Sequence, residues 1–492
     1  LATGDQFVAG SHSKSAISGF FGRFNYVYKD RYLFEFNGRY DGTSKFFGEN
    51  QWGFFPSVSV GYRITEEPFM KSLKPYITSL KPRASWGRVG NQDVPSGQFL
   101  SNIGVGTSSW LIGNKNTSYA GVPTTLNPVL TWETVQTLDF GADARLFNDK
   151  MGINFDWFQR KTLNMLGAGQ VVPSSFGGSS PMVNYGELTT NGFEIAIDYN
   201  HTFKNDLHIL LSASLSDYST KITKFASASD PNVYNNYEGK TIGEIWGYTT
   251  DRLFQVSDFD LNTTTNKYVL KADLPAQTLL ESSSFTFAPG DVKYIDMNGD
   301  NKIGYGINTL SDHGDLSVIG NSQPRYLYGL RVNADWKGFD VDVFFQGVGS
   351  RKYWATGNTA IPGWDASEAW YAHQMDYWTT DNTTAYYPRP SNLAQGGSRY
   401  NFQTQTKYLL NMAYCRLKNV TLGYSLSPKI AKMVYVQKFR VYVSGENLFE
   451  IDGLGNVPLD PETGLQSTAD SRMFGRGYPY RRTFSFGVQL TF

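Results

Sequence analysis

The last ten residues alternate without a break. From Thr483 to Phe492, Phe484, Phe486, Val488, Leu490 and Phe492 fall on one face, and Thr483, Ser485, Gly487, Gln489 and Thr491 on the other. Successive side chains of an extended strand point to opposite sides of its sheet. A period of two therefore marks a strand with a different environment on each side. The pattern recurs along the chain. Leu138, Phe140, Ala142, Ala144 and Leu146 alternate with Thr137, Asp139, Gly141, Asp143 and Arg145. Met151, Ile153, Phe155 and Trp157 alternate with Gly152, Asn154 and Asp156. Tyr32, Phe34 and Phe36, then Phe339, Val341, Val343 and Phe345, then Phe439, Val441 and Val443 repeat it.

A soluble sandwich or propeller alternates too, but four features separate this chain from one. Many runs reach the roughly 9–11 residues that a tilted strand needs to cross a bilayer, whereas soluble strands centre near about 5–6. The polar face carries Asp139, Asp143, Arg145, Asp340 and Asp342 in mid-strand, which a wet or plugged lumen accommodates. Tyr28, Tyr32, Trp157 and Trp336 stand at strand ends, where interfacial aromatic girdles sit. The connections also come in two kinds. Lys29-Asp30, Asn148-Asp149, Lys204-Asn205 and Lys337-Gly338 are tight turns, while 92–130, 218–320 and 350–405 are long and polar. Transmembrane barrels show this asymmetry, with short turns in the periplasm and long loops outside. The expectation is an all-β, antiparallel transmembrane barrel, with about 13–14 strands in this chain.

Composition agrees and excludes other classes. Aromatic residues make up 15% and charged residues only 18%, against about 25% charged in a typical soluble domain. The 44 basic and 44 acidic side chains cancel, so no general attraction to nucleic acid follows. Cys415 is the only cysteine and reads as a packed strand residue. The opening Leu1-Ala2-Thr3-Gly4-Asp5 lacks the basic head and apolar middle of a signal peptide. The chain is therefore expected to start within a mature or longer protein. The five histidines form no His-x-x-x-His pair, and neither a Gly-x-Ser-x-Gly elbow nor a phosphate loop occurs. No catalytic residues are expected.

Several phrases carry more than periodicity. Gly19-Phe20-Phe21-Gly22-Arg23-Phe24-Asn25-Tyr26, Asp30-Arg31-Tyr32 and Arg39-Tyr40-Asp41-Gly42-Thr43-Ser44-Lys45-Phe46 come first. Arg83-Ala84-Ser85-Trp86-Gly87-Arg88-Val89-Gly90-Asn91-Gln92 and Asn127-Pro128-Val129-Leu130-Thr131-Trp132-Glu133 follow. Gly290-Asp291-Val292-Lys293-Tyr294, Leu417-Lys418-Asn419-Val420-Thr421-Leu422-Gly423-Tyr424 and Gly445-Glu446-Asn447-Leu448-Phe449 complete the series. In this order they resemble the SusC family of TonB-dependent transporters over nearly the whole chain. The resemblance implies a plugged 22-stranded barrel in the outer membrane of Bacteroidetes. Its cargo would be oligosaccharides, or sometimes peptides. A SusD-like surface lipoprotein would act as a lid, with energy from TonB. The plug, the TonB box and the first barrel strands have no counterpart in this chain. About 13–14 strands with unpaired edges would leave costly bare backbone in lipid, so a further portion, in the same polypeptide or a separate one, is expected. A passive porin is the rival reading.

Two sets of residues invite a binding role. Asp296-Met297-Asn298-Gly299-Asp300-Asn301-Lys302 places oxygens at every second position, resembling the first half of an EF-hand loop. Asp296, Asn298, Asp300 and the Lys302 carbonyl would form a structural Ca²⁺ site, since Ca²⁺ takes all-oxygen shells. Asn301 stands where Gly is usual and Ile307 where Glu is usual, so Asp312 or Asp315 would have to close the shell. The alternative is a polar turn without an ion. The second set is Trp354, Trp364, Trp370, Tyr371, Trp378 and Arg389 in the loop 350–405. These suit sugar stacking or contact with the lid protein. They also suit packing of the loop on itself.

Overall fold

The computed structural model describes residues 14–492, apart from 95–96, 98, 102, 124, 128, 170–172, 174, 176, 178–179, 283–284, 365–368, 391–399, 434, 463–474 and 476. Thirteen strands follow one antiparallel path in chain order. They are β1 (Ile17–Tyr28), β2 (Tyr32–Thr43), β3 (Trp52–Tyr62), β4 (Ile77–Asn91), β5 (Glu133–Leu146), β6 (Met151–Ala168) and β7 (Met182–Thr202). Then come β8 (His208–Lys224), β9 (Arg325–Trp336), β10 (Phe339–Ser350), β11 (Leu410–Ser425), β12 (Lys438–Gly453) and β13 (Thr483–Thr491). The two-residue strand Lys352–Tyr353 pairs with the start of β11 and makes the sheet fourteen-stranded. Among the described residues β1 and β13 each have a single neighbour, so the sheet has two open edges.

The register sorts the two faces that alternation predicts. Across β12 and β13, Phe439 lies opposite Leu490, Val441 opposite Val488 and Val443 opposite Phe486. Across β10 and β11, Val341 meets Leu422 and Val343 meets Val420. The other face collects charge. Arg440 of β12 reaches over Gly423 of β11 to form a two-pronged pair with Asp340 of β10. Arg83 of β4 sits among Asp139 and Asp143 of β5 and Asp156 of β6, at 3.3, 3.3 and 2.7 Å. Arg145 pairs with Asp198 at 2.8 Å, and Arg331 with Asp342 at 2.7 Å. Room for these pairs comes from glycine. A Cβ on Gly141 would lie 2.4 Å from Asp156, one on Gly152 2.3 Å from Asp198, and one on Gly423 2.4 Å from Asp340. The apolar face therefore meets lipid and the ion-paired face lines the lumen.

The turns match the short connections expected. Lys337 and Gly338 take φ of 47° and 90°, and Lys29 and Asp30 take 51° and 53°. Positive φ at both central residues matches the twist of tight hairpins. At the same end, 63–76 and 426–437 form longer connections, the latter with the helix α1 (Pro428–Met433). At the other end three loops are large. The middle one starts later than expected, because β8 continues to Lys224 and its pairing with β7 holds through Ile222. Two further long connections, 169–181 and 454–482, were not anticipated.

The large loops build a core that the sheet lacks. Residues from 225–324, 351–409 and 454–482 bury Phe254, Val292, Tyr294, Ile303, Leu316, Ile361, Trp378, Tyr387, Phe402 and Leu459 in one cluster. A smaller cluster of Phe46, Phe55, Val94, Leu130 and Trp132 closes the outer ends of β2–β5.

Candidate functional site at the external mouth

The outer loops are held together by a buried carboxylate. Asp291 is fully buried. Its oxygens accept from the Arg389 guanidinium at 3.0 and 2.9 Å, from the Asn401 amide at 2.8 Å and from the Ala288 amide at 2.8 Å. Burial pushes the Asp291 carboxyl up, and the Arg389 guanidinium pulls it back. Around this anchor the backbone is equally committed. The Val292 amide donates to Asn401 Oδ1 at 2.7 Å, and Gln277 bridges the Val292 carbonyl and the Tyr294 amide at 3.0 and 2.8 Å. Gly290 holds φ of 90°, and a Cβ there would lie 2.4 Å from the Trp378 ring. The hub thus joins Gly290 and Asp291 to Trp378, Arg389 and Asn401 from a distant segment of the chain.

The six aromatic and basic residues singled out in the sequence are now placed. Trp378 is buried in the loop core, and Trp354 and Trp364 pack against it. Trp370 meets the edge of Tyr377 at 5.9 Å. Tyr371 is more exposed and stacks on His373 at 5.8 Å. Arg389 is the partner of Asp291. Trp378 and Arg389 therefore spend their side chains on the loop itself, while Tyr371 and Tyr386 keep ring surface toward solvent.

The loop 296–302 curls tightly. Asp296 accepts from the amides of Gly299 and Asn301 at 2.6 and 2.8 Å. Asn298 accepts from Asp300 at 3.0 Å, and Asp300 accepts from Lys302 at 2.8 Å. Asn301 adopts φ of 61°, so it takes the left-handed geometry usual for glycine at that position. Asp315 is buried and braces both ends of the turn, accepting from Met297 at 2.7 Å and from Gly304 at 2.8 Å. Burial raises the Asp315 carboxyl, and these backbone donors oppose the rise. Among the described residues no group of three or more His, Cys, Asp and Glu side chains converges as metal ligands. A cation here would depend on Asn298 and on main-chain carbonyls.

Sequence reasoning missed a third feature. Arg416 on the lumen side of β11 is 3% exposed and faces Glu450, Asp460 and Glu462. Lys418 joins Glu462 at 2.7 Å, and the Tyr480 ring covers both cations at 5.0 and 4.3 Å. This cluster ties Asp460, Glu462 and Tyr480 of the connection after β12 to the adjacent strand β11. Its one visible sign in the sequence was a pair of basic residues in a strand, Arg416 and Lys418, without a local acid.

The comparisons with known proteins follow this architecture. The profile described as TonB dependent receptor-like, beta-barrel matches residues 2–448. TonB-dependent receptor P3 of Formosa agariphila is 27% identical over 492 residues, covering 96% of this chain and 45% of that protein. TonB-dependent receptor SusC of Bacteroides thetaiotaomicron is 24% identical, covering 98% of this chain and 44% of that protein. The chain thus spans about half the length of the curated relatives it matches. Among solved structures, the RagAB peptide importer in its open-open state superposes with a TM-score of 0.71 at 20% identity, over 97% of this chain and 47% of that one. The same importer in its closed-closed state gives 0.69 at 21% identity.

Proposed function

We propose, for a chain that belongs to the TonB dependent receptor-like β-barrel family, that it forms the barrel part of an outer-membrane importer for a large nutrient. The outer membrane is the location of this family, and the strands of this chain cross it many times. The importer reading adds a SusD-like lid lipoprotein outside and TonB as the energy source inside. An oligosaccharide is the cargo we favour over a peptide, because Tyr371 and Tyr386 remain partly exposed among the aromatic residues of the external mouth. A small-molecule enzyme is not part of this reading.

The observation that carries the proposal is the match of residues 2–448 to the TonB dependent receptor-like, beta-barrel family, with a sheet whose faces sort into apolar and ion-paired. Unpaired strand backbone in hydrocarbon costs several kcal/mol per group. Further strands must therefore complete the barrel, and the ion-paired lumen face suits a plug and water. The deciding experiment is uptake of a fluorescent oligosaccharide and a fluorescent peptide by cells with and without the gene, before and after loss of TonB. Uptake of the oligosaccharide that needs both gene and TonB supports the reading. Uptake indifferent to TonB favours the porin, and peptide-only uptake moves the cargo class.

The loop 296–302 is proposed as a structural Ca²⁺ site with Asp296, Asn298, Asp300 and the Lys302 carbonyl as ligands. Support comes from the curl of the loop, which gathers these oxygens on one short segment. Asp315 is proposed as the brace that sets the curl, since both its oxygens already hold backbone amides.

A further inference from the structure

One seam in the sheet is short. β3 and β4 pair only from Ser57 opposite Gly87 to Gly61 opposite Arg83, although the strands are 11 and 15 residues long. On its other side β4 pairs with β5 along its length, from Ile77 to Asn91. The next step toward the periplasm would set Tyr62 against Pro82. Proline has no N–H to give a ladder, and the chain leaves there into the turn 63–76.

A groove of about 530 Å³ lies over the periplasmic end of this seam. It follows one cross-strand row of the lipid face, Tyr26, Phe34, Val60, Ala84 and Phe140. Val60 and Ala84 are short, so they form a floor between the taller Phe34 and Phe140. At the periplasmic end Tyr62 and Tyr32 stack at 5.0 Å. Tyr32 and Arg31 both donate to Glu67 at 3.0 Å, which holds the girdle rings upright. Beside them Arg63 is exposed and donates at 3.4 Å to the Asp30 carbonyl. Lys29 lies over the Tyr28 ring at 5.2 Å. Neither Arg63 nor Lys29 has a carboxylate within ion-pair distance among the described residues.

We propose that this groove binds one phospholipid of the periplasmic leaflet. One acyl chain lies between Phe34 and Phe140, and the phosphodiester sits on Arg63 and Lys29. Two observations select this occupant. The groove is continuous with the lipid-facing surface and opens away from the ion-paired lumen, so a water-soluble cargo does not reach it. The cations lie at the end where an inner-leaflet headgroup carries its negative charge, and Arg suits phosphate recognition.

The test is native mass spectrometry of the protein extracted from outer membranes in mild detergent. Wild type is expected to retain one glycerophospholipid per chain. Ala84→Phe fills the floor and should abolish that adduct. Ala144→Phe adds the same bulk elsewhere on the lipid face and should leave it. Arg63→Ala keeps the groove and should weaken retention by about tenfold, as loss of one charge-assisted contact does. Heat-modifiable gel mobility identifies folded barrels, and Arg63→Ala decides the case if Ala84→Phe does not fold. Equal retention by wild type and either Ala84→Phe or Arg63→Ala would overturn the proposal. So would loss in Ala144→Phe as well, which means annular lipid, or lipid A as the retained species.

Discussion

The membrane sheet and the external loop domain use the same twenty side chains in opposite ways. The sheet has almost no buried core, because lipid covers one face and the lumen the other. Most of its charges sit in open water or near it, apart from Asp217 of β8 and Arg416 of β11 under the loops. Arg331, for example, keeps 57% of its side-chain surface while pairing with Asp342. The loop domain buries its aromatics as a soluble protein does, and its central carboxylate keeps no surface at all. A polar group that water can reach is cheap to lose, whereas one cut off from water is costly once its partner goes. The comparison predicts that single polar deletions are mild in the sheet and severe in the loop domain.

The sharpest challenge is Asp291→Ala. It leaves Arg389, Asn401 and the Ala288 amide without their acceptor. The loop domain should lose about 3–5 kcal/mol, the range for breaking a buried pair. Limited proteolysis of intact cells should then cut within 225–324 or 351–409, while heat-modifiable mobility of the barrel stays. An uncut loop domain would break the contrast drawn above.

The sheet has its own weak points, but they are steric. A Cβ on Gly347 in β10 would lie 2.3 Å from the Tyr414 carbonyl of β11 and 2.4 Å from the Tyr328 ring. Gly347→Leu should cost about 1–3 kcal/mol through overpacking. The expected sign is a lower temperature for loss of heat-modifiable mobility. An unchanged midpoint would mean that β10 and β11 yield more freely than their pairing suggests.

Ca²⁺ gives a smaller effect confined to the loops. With Ca²⁺ at about ten times its Kd, binding adds about 1.4 kcal/mol. Wild type should show a protease-resistance gain with Ca²⁺ that chelator removes, and Asp300→Ala should abolish the gain. Equal resistance with and without Ca²⁺ would leave 296–302 as a turn closed by its own hydrogen bonds. The smallest effect is expected for Arg331→Ala in the lumen wall, about 0.2–1 kcal/mol for an exposed pair. If it matched Asp291→Ala, the lumen would be drier than its exposure implies.

Much of the sheet was legible because its signal is local. Period two in Thr483–Phe492 needs only neighbours to be read, and β13 ends one residue short of the chain terminus. The glycines and tight turns are local too, as Lys337-Gly338 shows. The external site was far less legible. Trp378 and Arg389 looked like candidates for ligand contact, yet each has its partner in the stretch around Gly290 and Asp291. The cluster on Arg416 draws on Glu450, Asp460 and Glu462, and no spacing rule links them.

By itself the sequence determined the class of fold, the two faces of each strand, the positions of the tight turns and the charge character of the lumen. Each follows from the alternation of side chains along an extended backbone, or from a few residues that accept positive φ. The tertiary structure decided which acids share Arg83, where the pairing of β3 and β4 stops, and which aromatics are core and which reach solvent. Those outcomes depend on register between strands and on packing between loop residues as far apart as Arg389 and Asp291, or Thr250 and Thr406. Both are set by shape and burial in three dimensions, because a side chain 98 positions away leaves no period in the chain to read.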